Sequence, residues 1–198
     1  LMDIKALLDC GDSEIEHLKR QRESLLAHRR ETDAMIDALD ILLEDAMNDN
    51  ELTVEEVGKI LGDADFAAHQ NEAEERYGDT DDWRESRRRT AAWRATEWRQ
   101  NSERFHDIER RMIDAIRDGA APDSERAAGL VEEHREILSE FFPVTPAKHY
   151  IMSRGYIHDE RFREHYDSQQ VGFAQWLADA IECVARQQGV DIEKPTWE

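Results

Sequence analysis

The chain has 198 residues, of which 39% are hydrophobic and 36% charged, and its formal net charge is -20. That is enough apolar material for a core of ordinary size, in one domain with an appendage or in two small domains. So acidic a surface repels nucleic acid and anionic membrane, and no apolar run approaches the length of a membrane span.

The two cysteines, Cys10 and Cys183, lie far apart without CxxC spacing, which points to a reducing cytoplasm and not to a disulfide framework. The first residue is Leu and not an initiator Met, so the chain reads as part of a longer protein. Nearly all of it reads as helix, interrupted by only four prolines and nine glycines. The pattern predicts a short helix over 3–9 that ends near Gly11. Ser13, with Glu16 three residues later, forms a capping box for a long helix that runs to about Met47.

In that helix Leu18, Leu25, Thr32, Leu39 and Ala46 recur every seven residues, and Gln21, His28, Met35 and Leu42 fill the alternate positions. This a/d pattern predicts a two-helix coiled coil between subunits, with a seam of Leu18, Leu25, His28, Thr32, Met35, Leu39 and Leu42. The other reading is a long amphipathic helix folded onto its own domain, and the polar positions Gln21, His28 and Thr32 speak for it.

The polar stretch at 48–51 is the best domain boundary. The organisation predicted is a short leading helix over 1–12, a dimerisation helix over 13–48, a ligand-binding domain over 49–190 and a loose tail over 191–198. Helices near 53–61 and 65–76 are short of large apolar residues and marginal alone. At the next junction Gly78 is expected to take a positive φ, and Asp79 or Thr80 to cap the following helix. Further helices are predicted near 81–92, 93–117, 124–142, 146–154, 159–166 and 171–188. Gly119 stops one of them, and Pro122-Asp123-Ser124 starts the next.

Residues that could carry chemistry are few. Trp83, Trp93, Trp98 and Phe105 fall on two successive helices, and Phe141, Phe142, Tyr150, Tyr156 and Phe162 surround a later break with Pro146 and Met152. Such residues are usually core, yet Tyr and Trp can also orient a ligand in an apolar cleft. Glu14 with His17 and Glu103 with His106 have the Glu-x-x-His spacing of a di-iron bundle, a pattern that arises readily by chance in so charged a chain. Cys183 has no His near it in sequence, Asp9 and Asp12 flank Cys10 and disfavour its thiolate, and there is no glycine-rich phosphate loop. No catalytic residue, metal or cofactor is therefore expected.

The stretch Glu75-Arg76-Tyr77-Gly78-Asp79-Thr80-Asp81-Asp82-Trp83, followed by Arg84-Glu85-Ser86 and Thr90-Ala91-Ala92-Trp93, resembles the opening of the antibiotic-recognition domain of TipA-type regulators of the MerR family. The resemblance continues in order through Trp98, Asp118-Gly119-Ala120-Ala121-Pro122-Asp123-Ser124, His134-Arg135, Tyr156-Ile157-His158-Asp159-Glu160-Arg161-Phe162, His165-Tyr166-Asp167 and Gly172-Phe173-Ala174. It covers about 62–186. Residues 2–9 resemble the last helix of a MerR-type DNA-binding domain.

The resemblance implies an all-α protein, with a long dimerisation helix followed by a globin-like domain that holds a deep ligand cleft. It implies a homodimer through 13–48, a small hydrophobic antibiotic as effector, and promoter DNA and RNA polymerase as partners of the intact activator only, by a mechanism of promoter distortion. The cleft is expected to involve Tyr77, Trp83, Trp93, Trp98, Phe105, His134, Phe141, Phe142, His149, Tyr150, Met152 and Tyr156, with 53–76 closing over the ligand. Family members can bond thiopeptide antibiotics through cysteine. The corresponding stretch 141–152 here has no Cys, so binding is expected to be reversible. The family's Thr cap before the Trp98 helix is replaced by Arg94, so that junction is expected to be continuous. A metal-binding bundle and a ligand-free dimerising module stand as alternatives.

Overall fold

The computed structural model describes residues 3–47 and 52–197, without the side chains of 3–15, 17 and 44–47. The polar stretch at 48–51 and the side chains of Cys10, Glu14, His17 and Ala46 therefore lie outside the described residues.

The described residues are all-α. In chain order the helices are α1 (Asp3–Met47), α2 (Val54–Leu61), α3 (Phe66–Tyr77), α4 (Asp81–Thr90), α5 (Ala95–Arg117), α6 (Glu125–Leu138), α7 (Pro146–His158), α8 (Glu160–Gln169) and α9 (Phe173–Gln187). They fall into two compact units, 1–67 and 68–198.

In the first unit α1 runs unbroken through Gly11 and Ser13, where two helices are predicted. One glycine costs a helix interior only about 1 kcal/mol relative to Ala, less than starting a new helix. α2 packs against α1, and Ile41 and Val57 are buried. Thr53 caps α2 by a reciprocal box: the Glu56 amide donates to Thr53 Oγ1 at 3.3 Å, and the Thr53 amide donates to Glu56 Oε2 at 2.7 Å.

The second unit is built on α9. Phe173, Leu177, Ile181 and Val184 are buried among Ile108 and Met112 of α5, Leu130 and Val131 of α6, and Tyr150 and Tyr156 of α7. Gly119 and Gly172 adopt left-handed backbone, with φ of 80° and 82°, where the chain turns between helices. Trp176 Nε1 donates to the Ala120 carbonyl at 2.9 Å and ties α9 to the first of these turns.

Several local expectations change. Gly78 ends α3 without a positive φ. It is needed for space, because a Cβ there would fall 2.5 Å from the Glu74 carbonyl oxygen. Thr80 caps α4 by accepting from the Trp83 amide at 3.2 Å. The α4–α5 junction is not continuous: Arg94 is extended (φ -97°, ψ 173°), and its amide donates to Glu97 Oε2 at 2.9 Å. A carboxylate three residues into the helix thus does the capping that no Thr supplies. α7 continues past the predicted end at 154, through Gly155, to His158. The tail is not loose. Asp191 Oδ1 accepts from the amides of Glu193 and Lys194 at 3.0 and 3.3 Å, and Val190 and Ile192 pack on the core.

Gly78→Ala is expected to destabilise the chain by about 1–3 kcal/mol, because the added methyl meets backbone. Gly129→Ala, in open space on α6, is expected to stabilise it by about 0.5–1 kcal/mol. Melting temperatures of the two variants, measured by circular dichroism, check the contrast.

Candidate ligand-binding site

α4 buries none of its own side chains. Polar contacts hold it instead. The buried Lys148, in the first turn of α7, donates from Nζ to both Asp82 carboxylate oxygens at 2.9 and 2.7 Å. At the other end of α4, Arg89 Nη1 donates to the Ser139 carbonyl at 2.7 Å, while Nε of the same residue donates to Glu85 at 2.6 Å. Arg88 and Arg89 together hold the Glu85 carboxyl down to about 2.

Two breaks then bring aromatic residues together. The α6–α7 break is fixed by Arg135, whose Nη1 donates to the Val144 carbonyl at 3.0 Å, and by Ser139, whose hydroxyl donates to the Arg135 carbonyl at 2.7 Å. Phe141 in this break meets Trp93 from the α4–α5 break and Trp98 from α5. Their ring centroids are 5.1 and 6.1 Å from Phe141, and Trp93 and Trp98 stand edge to face at 4.9 Å. All three rings remain partly exposed. A groove of about 500 Å³ borders the cluster at Trp93 and is lined also by Glu97, Asn101, Arg104 and Glu140. Asn101 Nδ2 donates to Glu140 at 2.6 Å, and Arg104 pairs with the same carboxylate. A second groove, of about 470 Å³, runs on between α5 and α6 and is lined mainly by charged side chains. The surface therefore offers apolar faces for stacking beside a charged rim.

Behind it lies a buried polar chain. His134 Nδ1 and His149 Nε2 are 2.9 Å apart, with their rings stacked. Phe105 and Tyr156 stand edge-on to His134, and Tyr156 leads to Tyr166 and Phe173. The buried Glu109 accepts from Gln169 at 3.0 Å and faces His165 at 3.4 Å.

Residues 69–184 match the family model for the TipAS antibiotic-recognition domain. The chain belongs to the TipAS family. It is 31% identical to the HTH-type transcriptional activator TipA of Streptomyces coelicolor over 183 residues, covering 91% of this chain and 72% of that protein. It is 26% identical to the HTH-type transcriptional activator mta of Bacillus subtilis over 187 residues, with the same coverage. Among solved structures it resembles TipAS of Streptomyces lividans in complex with nosiheptide, from a thiopeptide antibiotic multidrug resistance system. The TM-score is 0.63 and the identity 29%, over 70% of this chain and 97% of that one. The two activators are transcriptional regulators and not enzymes.

The residues predicted for the TipAS ligand site separate into two sets. Trp93, Trp98 and Phe141 share one accessible cluster; Phe142 lies beside it in the same break, Trp83 is half-buried in α4, Met152 half-buried in α7, and Tyr77 exposed at the end of α3. His134, His149, Tyr150 and Tyr156 are buried, and Phe105 packs against the same core. Tyr150 carries the Arg154 guanidinium over its ring at 4.6 Å. Sequence reasoning missed Asp82, Lys148, Arg89 and Glu140, the polar groups that set the geometry. Asp82 stood inside the quoted motif, but its partner 66 positions away leaves no local signal. No three His, Cys, Asp or Glu side chains converge as metal ligands among the described residues. Also among them, no helix is long and apolar enough to cross a membrane.

The His pair gives the TipAS domain a pH dependence. Burial pushes His134 down to about 4 and His149 well below the ordinary range. One ring nitrogen donates and the other accepts, an arrangement that neutral imidazoles satisfy and two imidazoliums do not. A depressed folded pKa contributes stability that is present above the unfolded value near 6.5 and lost as pH falls toward 4. His165 opposes this in part. Its hydrogen bond to Glu109 raises its pKa, so its contribution is fully present below about 6.5 and is lost at higher pH. The net expectation is a melting temperature that falls between pH 7 and pH 5. His149→Gln should melt lower throughout but with a shallower acid slope, as thermal denaturation across this range would register.

Proposed function

We propose that this TipAS domain is the effector-binding part of a MerR-type transcription activator, and that it binds bulky hydrophobic compounds of the antibiotic class reversibly. The observation that carries the reading is the accessible three-ring surface of Trp93, Trp98 and Phe141 beside a groove of about 500 Å³. Stacking on such rings, with hydrogen bonds to a charged rim, suits large flat ligands. The nosiheptide complex of the Streptomyces lividans neighbour supports a thiopeptide as the first compound to test. The chemistry within the domain supports reversibility. Residues 141–152 contain no Cys, and Cys183 is half-buried, with burial and nearby carboxylates pushing its thiol pKa up.

Residues 69–76 of α3 bury no side chain, and Glu72 pairs with Arg161 of α8 at 2.7 Å. So lightly packed a segment can close over a ligand, with apolar contact offsetting the cost of ordering it. α1 exposes Leu18, Leu25, Met35 and Leu39 along its seam, and Leu25 is 68% exposed. These residues, with His28, Thr32 and Leu42, form the interface of a homodimer whose geometry passes ligand binding to promoter distortion and RNA polymerase.

Titration of the chain with nosiheptide and a panel of hydrophobic antibiotics, read by tryptophan fluorescence, tests the site. Saturable quenching is expected with at least one compound. Trp98→Ala should weaken that compound about tenfold, or about 1.4 kcal/mol. Unchanged affinity in Trp98→Ala would remove the ring cluster from the site.

A further inference from the structure

Trp197 packs beside Asp82 of α4 and Lys148 of α7. Trp197 follows Lys194-Pro195-Thr196, beyond the final helix, and is 45% exposed. Its indole Nε1 donates to Asp82 Oδ2 at 2.7 Å. Lys148 Nζ lies 5.8 Å from the indole centroid, and the Phe142 ring stands 6.5 Å away at an interplanar angle of 30°. One carboxylate thus serves both the buried Lys148 ammonium and the indole N–H, while the same ammonium faces the π surface. These three side chains come from α4, the α6–α7 break and α7, and Phe142 adjoins Phe141 of the aromatic cluster.

We infer that Asp82, Phe142 and Lys148 form a subsite for a flat aromatic group bearing an N–H donor, and that the chain's own Trp197 occupies it until such a group displaces it. The subsite stands on its own geometry; its part in antibiotic binding rests on the function proposed above. Asp82 and Lys148 pair directly at 2.7 Å, so the carboxylate keeps a partner when the indole leaves. Trp197 is held by one hydrogen bond and the faces of one ring and one ammonium, with nearly half its surface in water. A ligand offering the same N–H and ring therefore competes with a contact that is specific but weak. Self-occupancy lowers apparent affinity in proportion to the free fraction, so a tail bound about 90% of the time costs the ligand about tenfold.

The test uses the full chain, its Trp197→Ala variant and N-acetyl-tryptophanamide as probe, followed by ¹H–¹⁵N NMR. The variant is expected to bind the probe at millimolar concentration, with shifts centred on Asp82, Phe142 and Lys148. The unaltered chain should bind it about tenfold more weakly. The 1-methylindole analogue of the probe, which lacks the donor, should lose most of its binding to the variant. Equal affinity of both chains, equal affinity for both probes, or no shifts at these residues in the variant would each overturn the inference. Nosiheptide added to the unaltered chain should move the Trp197 indole resonance to its solvent-exposed position. If no antibiotic binds at all, the function proposed above fails, while the probe experiment still decides the subsite.

Discussion

Helix α9 carries Phe173, Leu177, Ile181 and Val184 at intervals of three to four residues, and each loses nearly all contact with water against α5, α6, α7 and α8. Burying each such side chain is worth about 1.5–3 kcal/mol, and the packing is dense enough that neighbouring helices have little freedom of angle. The direction of α7 follows from this contact, and with it the positions of Lys148, His149 and Tyr150 on its first turns. The features of the candidate site are secondary to that core. Lys148 can meet Asp82 only because α7 already stands in place.

Charge then does for α4 what burial does for α9. α4 contributes no buried residue, and its two ends are held by Asp82 on Lys148 and by Arg89 on the Ser139 carbonyl. A partly buried ion pair adds little net stability against an apolar pair, but it fixes position, and loss of one partner leaves a costly orphan charge. Position is what a binding surface needs. The α4–α5 break that follows puts Trp93 against Phe141, and the tail uses the same Asp82 carboxylate as its anchor point. Through these few polar contacts one apolar surface keeps its shape while staying open to solvent.

The helical fold was legible because period and stops agreed over the second unit: Thr80 before α4, Ser124 before α6 and Gly119 after α5. The motif from Glu75 to Trp83 carried the family, and the comparisons bear that out. What could not be read was long-range or sterically local. Gly78 serves by the absence of a Cβ and not by its φ, a distinction that only coordinates make. Arg94 sits in an extended cap because Glu97 reaches back to it, although the residue itself is a good helix former. The tail was expected to be loose, yet one indole N–H bond to Asp82 anchors it. Aromatic residues of one composition divide into an accessible cluster around Trp93 and a buried chain around His134, which spacing alone does not separate.

Hydrogen–deuterium exchange of the chain with and without saturating nosiheptide tests the central claim, that this domain takes its effector on the surface shared by α4, the start of α5 and the α6–α7 break. Slowed exchange is expected over 83–98 and 139–150, with little change in α6 and α9 beneath. Saturable binding that protects some other face and leaves these two segments unchanged would contradict it.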